Sequence, residues 1–223
     1  MENNKRWGIG LIALGLVLLL ASALLLRHNH QESDDAGQAA ADALSAVQQA
    51  ISENASVPTT QPPAPPKETQ APEEETDPTA ETRDPNEPEA LTEVEIDGHK
   101  YVGYLYFPDL DRSLPVMKLE YVEDLQLAPC LQVGSVYTND AVVAAHNYPS
   151  HFGPLRDYKG GERVRFTDMT GYILEYTVQE VRTIDPKETP DLTENPYDLT
   201  LYTCTTGGKD RVLISCNRAE KNS

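Results

Sequence analysis

Thr200-Leu201-Tyr202-Thr203-Cys204-Thr205-Thr206-Gly207-Gly208-Lys209-Asp210-Arg211 is the stretch on which the reading of this chain turns. From Leu199 to Cys204 the residues are β-rich, and alternation sets Thr200, Tyr202 and Cys204 on one face. Thr205 to Gly208 is a turn-rich connection, and a second apolar run opens at Arg211. The pattern predicts a strand, a turn and a strand. Cys204 then ends the first strand beside a loop, reachable yet held by a rigid scaffold. Arg211 is carried back towards it, where its fork of N–H donors can face a developing oxyanion. Alone, a strand cysteine is more often a buried, inert thiol, and an arginine opening a strand is more often a surface residue.

A histidine changes that balance. His146 closes the apolar run Asp140–Ala145, read as a buried strand. Its imidazole can protonate a leaving amine and later deprotonate an incoming one. Cysteine, histidine and arginine, each at a strand end, make a nucleophile, an acid/base and a charge stabiliser. His151 lies five residues on and forms an H-x4-H spacing. No Cys or carboxylate pair accompanies it, and Pro149 argues against a helix presenting both imidazoles, so no metal site is expected. His151 is read as structural or as part of a rim. His99 sits by a turn, and His28 and His30 abut an apolar segment; none of the three is assigned chemistry.

Outward from this core, short strands and turns continue from Thr92. Glu93–Ile96 alternates and is closed by Asp97-Gly98, a hairpin signal. Lys100–Phe107, Leu114–Met117, Arg163–Asp168, Ile173–Arg182 and Arg211–Cys216 read as further strands. Val122–Leu127 and His151–Tyr158 read as short helical turns, and Thr183–Tyr197 as an ordered irregular loop punctuated by Pro186, Pro190 and Pro196. Regular short strands with little helix predict a mainly β domain, a closed barrel of about eight strands over residues 93–223. About 130 residues are enough to bury a core.

The N-terminal part reads differently. Gly8–Leu26 carries no charge, and its nineteen residues span roughly 28 Å as a helix, close to the hydrocarbon thickness of a bilayer. Ala21-Ser22-Ala23 resembles a signal-peptide cleavage site, but Leu24-Leu25-Leu26 continues the run beyond it. An uncleaved membrane anchor within residues 1–30 is therefore expected. Lys5 and Arg6 set the short N-terminus in the cytoplasm and the rest outside. Residues 31–92 read as a disordered stalk. Ala36–Ile51 has weak helical character but little apolar surface. The Pro-rich and acidic stretch after Val57 favours an extended chain. About 60 flexible residues reach roughly 45 Å.

Of the 223 residues, Asp and Glu outnumber Lys and Arg enough to give a net charge of -18 and a pI near 4.5. That excludes a nucleic-acid partner, which calls for clustered Lys and Arg. Three cysteines leave at least one unpaired thiol, which suits a reactive Cys204. Cys130 and Cys216 are read as small core residues, and sequence alone does not settle whether they pair.

With these residues in place, the chain resembles the sortases, cysteine transpeptidases of Gram-positive cell surfaces. The family's T-L-x-T-C strand is matched by Thr200–Cys204, its following arginine by Arg211, and its G-H-N/R motif by Ala145-His146-Asn147. Gly103–Pro108 with Leu114-Pro115-Val116 resembles the family's opening motif. Phe152-Gly153-Pro154-Leu155 and Gly160–Val164 resemble the segments that follow the histidine. Ala145 stands where glycine is usual, and Phe107 stands at an isoleucine-like position. The resemblance covers roughly residues 93–218.

The resemblance implies a sortase-type barrel in which Cys204 attacks an LPXTG-like sorting signal, His146 is the acid/base and Arg211 stabilises the oxyanion. The thioester would pass to an amine of a peptidoglycan precursor or a pilin. No cofactor is implied, and calcium dependence stays open. Papain-like enzymes place the cysteine before the histidine, and L,D-transpeptidases need an S-x-G-C-type motif that is absent here. A membrane-tethered barrel that only binds a wall component, with Cys204 in its core, and a pilus-polymerising sortase remain as alternatives.

Overall fold

Strands β1 (Val94–Ile96) and β2 (His99–Phe107) pair antiparallel across Asp97-Gly98. Both turn residues have positive φ, 50° and 81°, as a two-residue hairpin turn that follows strand twist requires. This computed structural model describes residues 2–55, 87–188 and 190–219. The chain continues through β3 (Arg112–Lys118), β4 (Cys130–Val133), β5 (Ala141–Ala144), β6 (Arg163–Asp168), β7 (Ile173–Ile184), β8 (Leu199–Cys204) and β9 (Arg211–Arg218).

The strands lie in the order β1-β2-β3-β4-β5-β8-β9-β7-β6, and β6 returns to pair with β2. Strands β2 to β9 therefore close an eight-stranded barrel, and β1 is an added hairpin arm. Closure depends on Gly103, where β2 meets β6. Its φ is 148°, and a Cβ there would sit 2.1 Å from the Thr167 carbonyl oxygen. No other residue fits that seam. The interior is filled by Leu105, Phe107, Phe166, Tyr176, Leu201 and Ile214, all with side chains out of water. Short 3-10 turns occupy Val122–Gln126 and Gly153–Asp157, where helical turns are expected. The four-residue α2 (Pro190–Thr193) lies within the loop before β8.

Strand β4 is the one barrel strand that sequence reading does not isolate. It is four residues long, and two of them, Gln132 and Val133, are exposed, so the alternation is too brief to register.

The N-terminal region departs further from expectation. Helix α1 runs over Glu2–Ala55, so residues 31–55 are helix where a disordered stalk is expected. It packs on β2 and β3 and buries Ala36, Ala40 and Val47. Asn54 Nδ2 donates to the Met169 carbonyl at 3.2 Å. The stripe is made of small residues, which show poorly in a hydrophobicity pattern but allow close approach. Glu87 is also held: both its carboxylate oxygens accept from Arg218, at 3.0 and 2.8 Å. The Pro-rich and acidic part of the expected stalk, residues 57–86, lies outside the described residues. The expected membrane-spanning helix gains no support either. Among the described residues, no helix is long and apolar enough to cross a membrane. The leucines from Leu14 to Leu26 stand exposed on α1.

Candidate active site

Strands β5 and β8 run parallel, with Ala144 opposite Tyr202. The Ala145 N–H still donates to the Tyr202 carbonyl at 3.1 Å. Two residues further along each chain, at the ends of these neighbouring strands, stand His146 and Cys204. The two side chains line one cleft of about 490 Å³ together with Asn147, Tyr148, Thr206 and Gly207. The barrel thus brings Cys204 and His146, each expected at a strand end, to one cleft.

Burial along β8 explains why the thiol is reachable. Leu199, Leu201 and Thr203 point inward, while Tyr202 and Cys204 are half-buried. Tyr202 OH donates to Gln132 Oε1 at 2.5 Å and fixes the outer face of the strand. Cys204 is a free thiol, as are Cys130 and Cys216. The latter two are fully buried in separate apolar clusters. Burial, with a smaller contribution from Asp124, pushes the Cys130 thiol up to about 12. Burial also raises the Cys216 thiol. Cys204 is the one cysteine that water can reach.

His146 stands on a tightly tied loop, residues 146–153. Phe152 N–H donates to the His146 carbonyl, and the Tyr148 carbonyl accepts from His151 and Gly153 N–H. A Cβ on Gly153 would fall 2.5 Å from the Asn147 carbonyl oxygen, so the loop can close only over glycine. From outside, the Arg112 guanidinium donates to the Pro149 carbonyl. Asn147 Nδ2 donates to the Thr205 carbonyl at 3.1 Å and ties the histidine loop to the turn after the cysteine. The Tyr148 ring stacks on the His146 imidazole, with centroids 4.8 Å apart and planes 26° apart. Burial lowers the His146 pKa, and the nearby Glu32 carboxylate opposes that shift. The imidazole is therefore biased towards its neutral, proton-accepting form.

Arg211 is directly opposite Cys204 in the β8–β9 ladder. Its guanidinium is turned to the connecting turn, donating to the Gly208 carbonyl at 3.2 Å and the Asp210 carbonyl at 3.3 Å. It does not line the cleft that holds Cys204 and His146. His151 is 1% exposed, and burial drives its pKa down to about 4. Tyr148 separates it from His146. Among the described residues, no group of three or more His, Cys, Asp or Glu is placed to hold a metal ion. His99 pairs with Asp124 at 3.7 Å, away from the cleft.

The sequence names Asn147 only as part of the Ala145-His146-Asn147 motif and singles out Tyr148 for nothing, because neither carries the chemistry sought. His30, assigned no chemistry from the sequence, and Ser33, not singled out there, both line the Cys204 cleft from α1. Nothing in segments read as membrane anchor and stalk signals such a contact.

The sequence matches the family model "Sortase domain" over residues 105–219, more than half of the chain. Among solved structures, it is similar to sortase C1 from Streptococcus agalactiae, with 26% identity and a TM-score of 0.49, covering 57% of this chain and 72% of that one. It is likewise similar to sortase A from Corynebacterium diphtheriae, with 22% identity and a TM-score of 0.49, covering 56% and 64%. Clostridium perfringens sortase C, solved with the C-terminal cell wall sorting motif, has 21% identity and a TM-score of 0.47, covering 54% and 71%. No curated protein matches the chain.

Proposed function

Since this chain belongs to the sortase family, we propose that it is a cysteine transpeptidase acting on an LPXTG-like sorting signal. The observation that carries the reading is the shared cleft of His146 and Cys204 at the ends of adjacent parallel strands. The Cys204 thiol gives its proton to the His146 imidazole, and the sulfur attacks the carbonyl of the scissile amide. A thioester forms, the C–N bond breaks, and His146 passes its proton to the departing amine. An acceptor amine then attacks the thioester, the C–S bond breaks, and His146 takes the proton from that amine and hands it to the departing sulfur, which restores the thiol of Cys204. The acceptor belongs to a peptidoglycan precursor or another surface protein. Arg211 reaches the oxyanion by exchanging its two turn carbonyls for the substrate, a side-chain movement within one residue of the cleft.

We place the barrel outside the cytoplasm, held by the N-terminal segment. Support comes from the uncharged run Gly8–Leu26 behind Lys5 and Arg6. In this arrangement residues 93–223 form the catalytic domain.

The test is mass spectrometry of the full chain with a panel of sorting-signal peptides, wild type against Cys204→Ala. A thioester adduct on Cys204, absent from the variant, is the expected result. No adduct with any peptide, together with a Cys204 inert to alkylation, overturns the assignment in favour of a binding module.

A further inference from the structure

Thr206 belongs to two cavities. It lines the cleft of Cys204 and His146, and it also lines a second cavity of about 530 Å³. Arg156 and Asp157 reach the second cavity from the 3-10 turn at Gly153–Asp157, Lys159 from the chain just beyond it, and Arg182 from β7. Three cations therefore face this space, and Asp157 is the only acid among the described residues that line it. That is the reverse of the whole chain, in which 36 acidic side chains face 18 basic ones. The acids beside these cations lie outside the lining. Glu180 pairs with Arg182 at 3.3 Å. Glu162 accepts from the backbone N–H groups of Lys159 and Gly160 at 2.7 and 2.8 Å. Arg156 Nη1 donates to Thr206 Oγ1 at 3.3 Å, which leaves the other donors of its fork for a ligand.

We infer that Arg156, Lys159 and Arg182 form an anion subsite for the second substrate, which selects an acceptor amine that carries a carboxylate. The inference rests on the transpeptidase reading above and names the class of acceptor. Cys204 and Thr206 are two residues apart, so their Cα atoms stand within about 7 Å of each other. A carboxylate held in the second cavity leaves its own amine a short reach to a thioester on Cys204. The planar guanidinium of Arg156 takes a carboxylate through parallel N–H···O bonds, and Lys159 and Arg182 add positive charge. The carboxylate is held and takes no part in the bond changes. The residues beside the scissile amide of an LPXTG-like signal are neutral, so the charge suits the acceptor and not the sorting peptide. The chain as a whole, at a net charge of -18, repels anions. A preference for an anionic acceptor must therefore come from a local site.

The full chain, loaded with a sorting-signal peptide, is offered triglycine or triglycine amide. Each acceptor spans about 10 Å when extended, and the two differ only in the terminal carboxylate. The ratio of kcat/KM for acid over amide is measured in wild type, Arg156→Gln and Lys159→Gln. A ratio taken within one protein does not depend on how much of it is folded. Lys159→Gln leaves the contact of Arg156 with Thr206 in place and keeps the test open if Arg156→Gln fails to fold. The expected result is a preference of about tenfold for triglycine in wild type, the size of one charge-assisted hydrogen bond. The ratio should fall towards one in Arg156→Gln and part of the way in Lys159→Gln. Equal use of the two acceptors by wild type, or preference for the amide, overturns the subsite and leaves the transpeptidase reading standing. So does an acid preference that both variants retain, or a thioester that neither acceptor resolves. Failure to form a thioester at all overturns both.

Discussion

Protonation of His151 works against the fold, because burial holds its pKa down to about 4 against an ordinary 6.5. Between those values the unfolded chain binds the proton and the native protein does not. Stability is therefore complete above pH 6.5, falls as the pH drops towards 4, and is lost on this account below 4. The difference amounts to roughly 3 kcal/mol. Urea unfolding measured from pH 7 to pH 4 should show that loss in wild type and a flatter profile in His151→Leu. At Tyr148 the expectation concerns rate. Tyr148→Phe keeps the ring on His146 and should retain thioester formation. Tyr148→Ala frees the imidazole and should slow the reaction by roughly ten- to a hundredfold, at unchanged substrate affinity in single-turnover kinetics. Cys204 and His146 are legible in sequence because each ends an apolar strand. The direction of Arg211 is not, since strand register fixes its Cα opposite Cys204 but not which acceptors its guanidinium finds.

Among the elements, β5 and β8 carry strong signals because their residues are buried almost without interruption. Helix α1 carries a weak one. Ala36, Ala40 and Val47 recur at helical spacing, yet alanine looks like linker composition until a partner surface is present to receive it. The composition reads as a stalk on that ground, and packing on β2 and β3 supplies what composition lacks. Two glycines show how tightly elements are matched. Gly103→Ala places a methyl group 2.1 Å from the Thr167 carbonyl at the barrel seam. It should cost about 3 kcal/mol or more in urea unfolding. Gly153→Ala strains the histidine loop instead, because its Cβ meets the Asn147 and Tyr148 carbonyls. A smaller loss of stability and a large loss of thioester formation are expected, read by melting temperature and adduct yield on one preparation.

Across the whole molecule, Glu87 links the chain entering the barrel to its last strand. Its carboxylate is 3% exposed, and Arg218 grips both oxygens. Removing the cation leaves a buried charge without its main partner, which is strongly destabilising. Arg218→Met should cost about 3 kcal/mol, and adding Glu87→Gln should recover part of it; a double-mutant cycle in urea measures both. The closed barrel has a kinetic consequence as well. Asn147 and Thr205, the residues that tie the histidine loop to the cysteine turn, are 58 positions apart in the chain. The strands that hold them pair in parallel, so no local hairpin can bring them together. Such long-range pairing comes late and slowly in folding. A newly made chain therefore carries Cys204 without His146 beside it until the sheet has closed, and the thiol gains that neighbour only in the finished barrel.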